Sequence, residues 1–241
     1  MKEAKDYIIF PLDVPTFNEA KKLISLLAND VGIFKVGLEL FISAGPEIVH
    51  YINEAGTAEV FLDLKLHDIP ATVGRAAAIV GNLGVKFATV HCGDSVKMLE
   101  EAVNGSKEKT GILGVTVLTS TGSDDIKNAG YDEKFHNNLQ SLVIKKAKTA
   151  QAAGCAGVIC SGLEVKKIKE ECGQSFLAIT PGIRPAWTIN DQDDQKRITT
   201  PAAAIQNGSD YIVIGRPIRD AENPVEAARK VAEEIASAIA T

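Results

Sequence analysis

The chain predicts a single-domain α/β fold, a closed (β/α)₈ TIM barrel, and three observations carry that prediction. Eight short β-rich runs alternate with longer helical patterns through 241 residues. No G-x-G-x-x-G follows the first run, which argues against the doubly wound open sheet. No linker or low-complexity tract breaks the alternation, so residues 1–241 read as one domain.

Taken in order, "YIIFPLDV" (7–14) is the first strand, followed by the helix "TFNEAKKLISLLAN" (16–29), where Thr16 and Glu19 have capping-box spacing. "IFKVGLEL" (33–40) is the second strand and precedes a weaker helical pattern at 45–56. "AEVFLDLKL" (58–66) leads into a helix over 70–84, and "KFATVHC" (86–92) into one over 94–106. "GILGVTVLT" (111–119) is followed by a long segment, 120–135, and a helix over 136–154. "AGVICS" (156–161) precedes a helix over 163–173. "SFLAITPG" (175–182) is followed by a second long segment, 183–199, and a short helix within 200–210. "DYIVIGRP" (210–217) and a helix over 224–240 close the pattern. The helical segments repeat apolar residues at three-to-four spacing. Both long segments follow strands, which in a barrel puts them at the C-terminal mouth, where binding loops and active sites sit.

Composition removes several classes of function. The chain is 45% hydrophobic and 24% charged, as soluble globular proteins are. A net charge of −5 offers no basic footprint for nucleic acid and no polybasic membrane anchor. No apolar run approaches the roughly 20 residues of a membrane span. The opening "MKEAKDYIIFPLDV" lacks the long apolar segment of a signal peptide. Cys92, Cys155, Cys160 and Cys172 form no C-x-x-C pair and read as buried thiols. The expectation is a protein of the reducing cytoplasm.

Two groups of residues carry chemistry. The first is Asp13, Lys35, Asp63, Lys65 and Asp68, at or just past the ends of the first three strands. Strand alternation puts Asp63 and Lys65 on one face. A lone charge at a strand end is usually solvated or structurally paired, and His91 fits that reading. Five charges at one barrel mouth do not, because burying isolated charges costs several kcal/mol each and such networks stabilise weakly. Thr119 and Ser120 close the fifth strand run. The second group is "TPGIRP" (180–185) and "VIGRPI" (213–218). Gly182 and Gly215 let backbone N–H groups approach an anion, and Arg184 and Arg216 offer forks for phosphate. They follow the seventh and eighth strands, the recurrent phosphate position of this barrel. Glu39, Asp63 and Asp68 are oxygen ligands in principle for Mg²⁺, but Lys65 occupies the same face as Asp63.

In "PLDV" (11–14), "FKVGLEL" (34–40), "FLDLKLHDIPATV" (61–73), "VTVLTS" (115–120), "TPGIRP" (180–185), "DDQKRITTPAAAI" (193–205) and "YIVIGRPI" (211–218), the sequence resembles the orotidine 5′-monophosphate decarboxylase family, in its bacterial branch. The resemblance covers nearly the whole chain. It implies a homodimer with shared active sites, no cofactor and no metal. It implies decarboxylation of orotidine 5′-monophosphate (OMP) to UMP, the last step of pyrimidine biosynthesis. Residue by residue, Lys65 matches the family's proton donor. Lys35, Asp63, Lys65 and Asp68 match its alternating charged array, with the second aspartate supplied by the neighbouring subunit. Asp13 and Lys35 match ribose contacts, and Thr72 a contact made across the interface. Thr119 and Ser120 fall at the pyrimidine, and Arg184, Gln195, Gly215 and Arg216 at the phosphate. Two rivals stand beside this reading: a Mg²⁺-dependent sugar-acid phosphate decarboxylase that shares the Asp-x-Lys-x-x-Asp pattern, and a non-catalytic barrel that binds a phosphate ligand.

Overall fold

The computed structural model describes residues 2–56, 58–93, 95–188 and 197–240. Eight parallel strands close into a barrel in chain order: β1 (Ile8–Pro11), β2 (Ile33–Gly37), β3 (Glu59–Leu66), β4 (Phe87–His91), β5 (Gly111–Val115), β6 (Gly157–Ile159), β7 (Leu177–Thr180) and β8 (Tyr211–Val213). The helices of the described residues are α1 (Phe17–Leu27), α2 (Leu38–Ala44), α3 (Glu47–Ala55), α4 (Pro70–Asn82), α5 (Val96–Ser106), α6 (Ser123–Asn128), α7 (Glu133–Asn137), α8 (Leu139–Ala152), α9 (Val165–Cys172), α10 (Pro201–Gln206), α11 (Arg216–Arg219) and α12 (Pro224–Ile239). None of them is long and apolar enough to cross a membrane.

Strand parity builds two cores. Ile8 and Phe10 face outward to the helices, in one cluster with Leu27, Ile48 and Val231. Ile9, Ile33, Phe61, Phe87, Leu113, Ile179 and Tyr211 face inward and fill the barrel. Both faces of each strand are therefore covered, and the strands read as near-continuous apolar runs. Two steps further along, the inward positions of β2, β3 and β4 are Lys35, Asp63 and Thr89. The barrel's packed interior thus stops at one level, and a polar layer begins at the next.

The structure corrects several boundaries. "LEL" (38–40), read as the end of the second strand, begins α2 instead, after Gly37 as its N-cap. Segment 120–135 holds two short helices, α6 and α7, where a loop was expected. The helix expected over 136–154 starts only at Leu139, because the Asn138 side chain accepts the Ser141 N–H and fixes a cap there. β5 ends at Val115, so Thr119 and Ser120 lie in the turn that follows it. Of the capping box expected at Thr16, the N-cap half is present, its hydroxyl accepting the Glu19 N–H at 3.3 Å. All four cysteines are free and buried, and burial pushes the Cys92 and Cys155 thiols up to about 12.

Candidate active site

Asp63 is the centre of the polar layer. It is 8% exposed, and its charge is compensated from several sides. Lys65 Nζ lies 2.8 Å from Oδ2, and Lys35 Nζ lies 3.6 Å from the same oxygen. The Thr89 hydroxyl donates to Oδ1 at 2.9 Å. Lys35 also reaches Asp13 Oδ1, at 3.2 Å. Burial alone would raise the Asp63 pKa. Lys35 and Lys65, with the hydrogen bonds from Lys65 and Thr89, outweigh it and hold the carboxyl below the ordinary range.

Lys65 reaches this position by an irregular path. Leu62 pairs with Ala88 and Leu66 with Val90, so β3 takes four steps where β4 takes two. Within that bulge Lys65 adopts φ 51°, a left-handed backbone that costs a non-glycine residue on the order of 1–3 kcal/mol. Its N–H, turned off the ladder, donates to Thr89 Oγ1 at 2.9 Å. Simple alternation predicts the shared face of Asp63 and Lys65 but not this bulge.

Lys35, Asp63, Lys65 and Thr119 line one cavity, with Phe61, Ile159 and Val213 of the barrel interior beneath them. It encloses about 620 Å³, counting space open to solvent. Cys160 lines it too, its thiol pKa raised by burial. Ser120 is exposed and is not among the lining residues, whereas its neighbour Thr119 is. His91 is half-buried beside His67, with ring centroids 5.7 Å apart. Burial, reinforced by the charges of His67, Lys146 and Lys65, lowers its pKa.

Asp68 does not join the array within its own chain. It is exposed, and its Oδ1 accepts the N–H of Ile69 at 2.6 Å. Thr72 stands on the first turn of α4, where its hydroxyl accepts from Arg75 at 3.3 Å. Glu39 is exposed in the first turn of α2. Among the described residues, no three His, Cys, Asp or Glu side chains are grouped to hold a metal.

The residues expected at the phosphate follow β7 and β8. Gly182 has φ 76°, a conformation suited to glycine, and it turns the chain after β7. A Cβ on Gly215 would meet Pro11 at 2.8 Å, so only glycine lets β8 end this close to β1. Arg184 is buried, with one guanidinium nitrogen donating to the Ile183 carbonyl at 2.9 Å, while Arg216 is exposed. Gln195 lies outside the described residues. The two ends of the 183–199 segment are paired: Arg184 N–H donates to the Thr199 carbonyl at 2.9 Å, and Thr199 N–H to the Gly182 carbonyl at 3.2 Å.

Sequence reading missed three residues of this region. Thr89 is one, although the inward parity of Phe87, Thr89 and His91 on β4 was available as a signal. The others are Arg197 and Glu164, an ion pair in which Glu164 is buried and Arg197 partly so. Arg197 also donates to the Val117 and Leu118 carbonyls, at 3.4 and 3.2 Å, and Glu164 accepts the Ser161 N–H at 2.7 Å. The pair thereby ties the base of the 183–199 segment to the chain just before Thr119.

Comparison with known proteins places these features in a family. The model of the "Orotidine 5'-phosphate decarboxylase / HUMPS family" matches residues 6–231. An orotidine 5'-phosphate decarboxylase of Desulfosudis oleivorans is 50% identical over 236 residues, 98% of this chain and 95% of that one. Another, from Trichlorobacter lovleyi, is 42% identical over 243 residues, 98% of each chain. The crystal structure of orotidine 5'-phosphate decarboxylase from Lactobacillus acidophilus superposes with a TM-score of 0.82 at 36% identity, covering 95% of this chain and 98% of that one. The likeness extends along both chains in each case, and the chain belongs to the orotidine 5'-phosphate decarboxylase / HUMPS family.

Proposed function

We propose that this chain is an orotidine-5′-phosphate decarboxylase, a carboxy-lyase that converts OMP to UMP and CO₂ in pyrimidine biosynthesis, with Lys65 protonating C6. The relatives' names support the reaction. The observation that carries the residue assignment is the buried Asp63 carboxylate held between Lys35 and Lys65 at the floor of the mouth.

The chemistry asks for such an array. When the C6–carboxylate bond breaks, CO₂ leaves and the electron pair stays on C6, with no ring position to delocalise it easily. An ammonium beside that carbon stabilises the charge as it develops. Opposite unit charges at about 4 Å attract by roughly 4 kcal/mol at an effective dielectric near 20. Lys65 then gives its proton to C6 and regains one from solvent. Asp63 holds the Lys65 ammonium in place and crowds the substrate carboxylate. Asp13 and Lys35 take the ribose hydroxyls, and Thr119 and Ser120 the pyrimidine. Arg184, Gln195, Gly215 and Arg216 take the phosphate. Phosphate binding is remote from the reacting carbon, so its energy serves the chemical step by holding C6 of the substrate beside Lys65.

The reading includes a homodimer. Asp68 is exposed and turned to its own backbone, which leaves it available to a neighbour's site. Leu38, Ile42 and Ile69 are exposed apolar side chains just beyond β2 and β3, at 51%, 80% and 66%. They suit burial against a second copy. The buried free thiols and the absence of a membrane-spanning helix among the described residues suit a cytoplasmic enzyme.

The test is loss of the orotate-ring absorbance on mixing the chain with OMP, with and without EDTA. The proposal expects UMP to form at the same rate in both. No turnover refutes it. Turnover lost to chelation and restored by Mg²⁺ moves the chain to the metal-dependent sugar-acid decarboxylases.

A further inference from the structure

We infer that Thr89 is a positioning residue of this site: its buried hydroxyl holds Asp63 and Lys65 in register with each other across the β3 bulge. The inference rests on the decarboxylase reading above for its catalytic consequence.

One oxygen serves both residues. Thr89 is fully buried, and its hydroxyl donates to Asp63 Oδ1 at 2.9 Å while accepting the Lys65 N–H at 2.9 Å. The two bonds use the hydroxyl's donor and acceptor functions at once, so their sense is fixed. Asp63, as a carboxylate, only accepts, and the Lys65 N–H only donates.

The position of β4 explains why a hydroxyl is needed there. Phe61 pairs with Phe87, so Thr89 stands beside Asp63 on the inward face. Between Leu62 and Leu66 the ladder to β4 is interrupted, and the Lys65 N–H loses its strand partner. A backbone N–H left unmatched in a half-buried site is costly, and so is a left-handed lysine. Thr89 supplies the missing acceptor. It also occupies Asp63 Oδ1, which leaves Oδ2 to face Lys65 and Lys35. The carboxylate is thereby fixed in rotation, with one oxygen toward β4 and the other toward the ammonium groups. A carboxylate free to rotate would not present one oxygen to both lysines.

Valine has nearly the shape of threonine without its hydroxyl, so Thr89→Val removes both bonds with little change in packing, and Thr89→Ser restores them. Without substrate, the Lys65 amide exchanges hydrogen at least about tenfold faster in the valine chain than in wild type, and at the wild-type rate, within about threefold, in the serine chain. Wild-type protection in the valine chain overturns the inference. With OMP, kcat falls about 10- to 100-fold in the valine chain, the scale of a hydrogen bond to a charged group. UMP affinity stays within about threefold, and serine recovers most of kcat. Unchanged kcat in the valine chain, or kcat and UMP affinity falling together, overturns it as well. A wild-type chain inert toward OMP refutes the decarboxylase reading alone, and the exchange measurement then decides the role of Thr89 separately. If the valine chain does not fold, Thr89→Ala carries the same comparison with serine.

Discussion

Lys65 Nζ lies 2.8 Å from Asp63 Oδ2 although Lys65 itself sits in a left-handed bulge of its strand. The ion pair is therefore not a by-product of regular pleating. The strand departs from its ladder where Asp63 and Lys65 meet, and the neighbouring strand supplies the hydroxyl of Thr89 to the freed Lys65 N–H.

Asp63 also sets a pH dependence of stability. Its folded pKa lies below the unfolded one, so at pH values between the two the unfolded chain binds more protons. The contribution is fully present above the ordinary Asp range, near 4, and is lost as pH falls through the depressed folded value. Asp63→Asn is expected to flatten the acid side of the stability curve below about pH 4. Urea unfolding of both chains from mildly acidic pH downward measures this, and identical slopes would count against a charged, lysine-paired Asp63.

Arg216→Ala is expected to weaken OMP far more than a phosphate-free nucleoside. The substitution removes a charge-assisted hydrogen bond to phosphate, worth roughly 1.5–3 kcal/mol, or about ten- to a hundredfold in affinity. Competition assays with both ligands measure the difference. Equal weakening would make Arg216 structural and place the phosphate elsewhere.

Breaking the Arg197–Glu164 pair is expected to cost stability as well as order at the mouth. Arg197→Met leaves a carboxylate 4% exposed without its cation, which costs about 3 kcal/mol. The double change with Glu164→Gln recovers most of that loss. Thermal unfolding of the wild-type, single-mutant and double-mutant chains checks the pattern, and additive losses would show that the two residues act independently.

The sharing of sites between subunits has its own test. A Lys65→Ala chain and an Asp68→Ala chain, each inactive, are mixed and allowed to exchange. One site of each heterodimer then collects both defects and the other neither. With about half of the dimers mixed, activity recovers to about a quarter of the wild-type sites. No recovery after demonstrated exchange would mean that Asp68 serves its own subunit.

The eight strands were legible in the sequence because β-rich runs alternate with helical patterns, and the inward charges of β2 and β3 because side chains along a strand alternate with period two. Lys35 follows Ile33 by two residues, and Asp63 follows Phe61 by two, so the inward parity of the barrel core carries directly into the site. The helical start at Leu38 was not legible, since "GLEL" satisfies a strand pattern and a helix pattern equally, and Gly37 as N-cap decides between them. Thr89 was hidden for another reason. A threonine within an apolar strand reads as a β-branched packing residue, and only its pairing opposite the bulge gives its hydroxyl two partners. Arg197 and Glu164 are 33 residues apart, and no local pattern announces a pair that forms across two mouth segments.

The central claim is that Lys65 delivers the proton to C6. The most direct measurement compares wild type with Lys65→Ala for turnover of OMP, followed by ring absorbance, and for UMP binding, followed by calorimetry. The expected result is that turnover is abolished while UMP still binds measurably, because the residues proposed for the phosphate, Arg184 and Arg216, follow β7 and β8 and are not those that hold Lys65. Near-wild-type turnover by the alanine chain would contradict it.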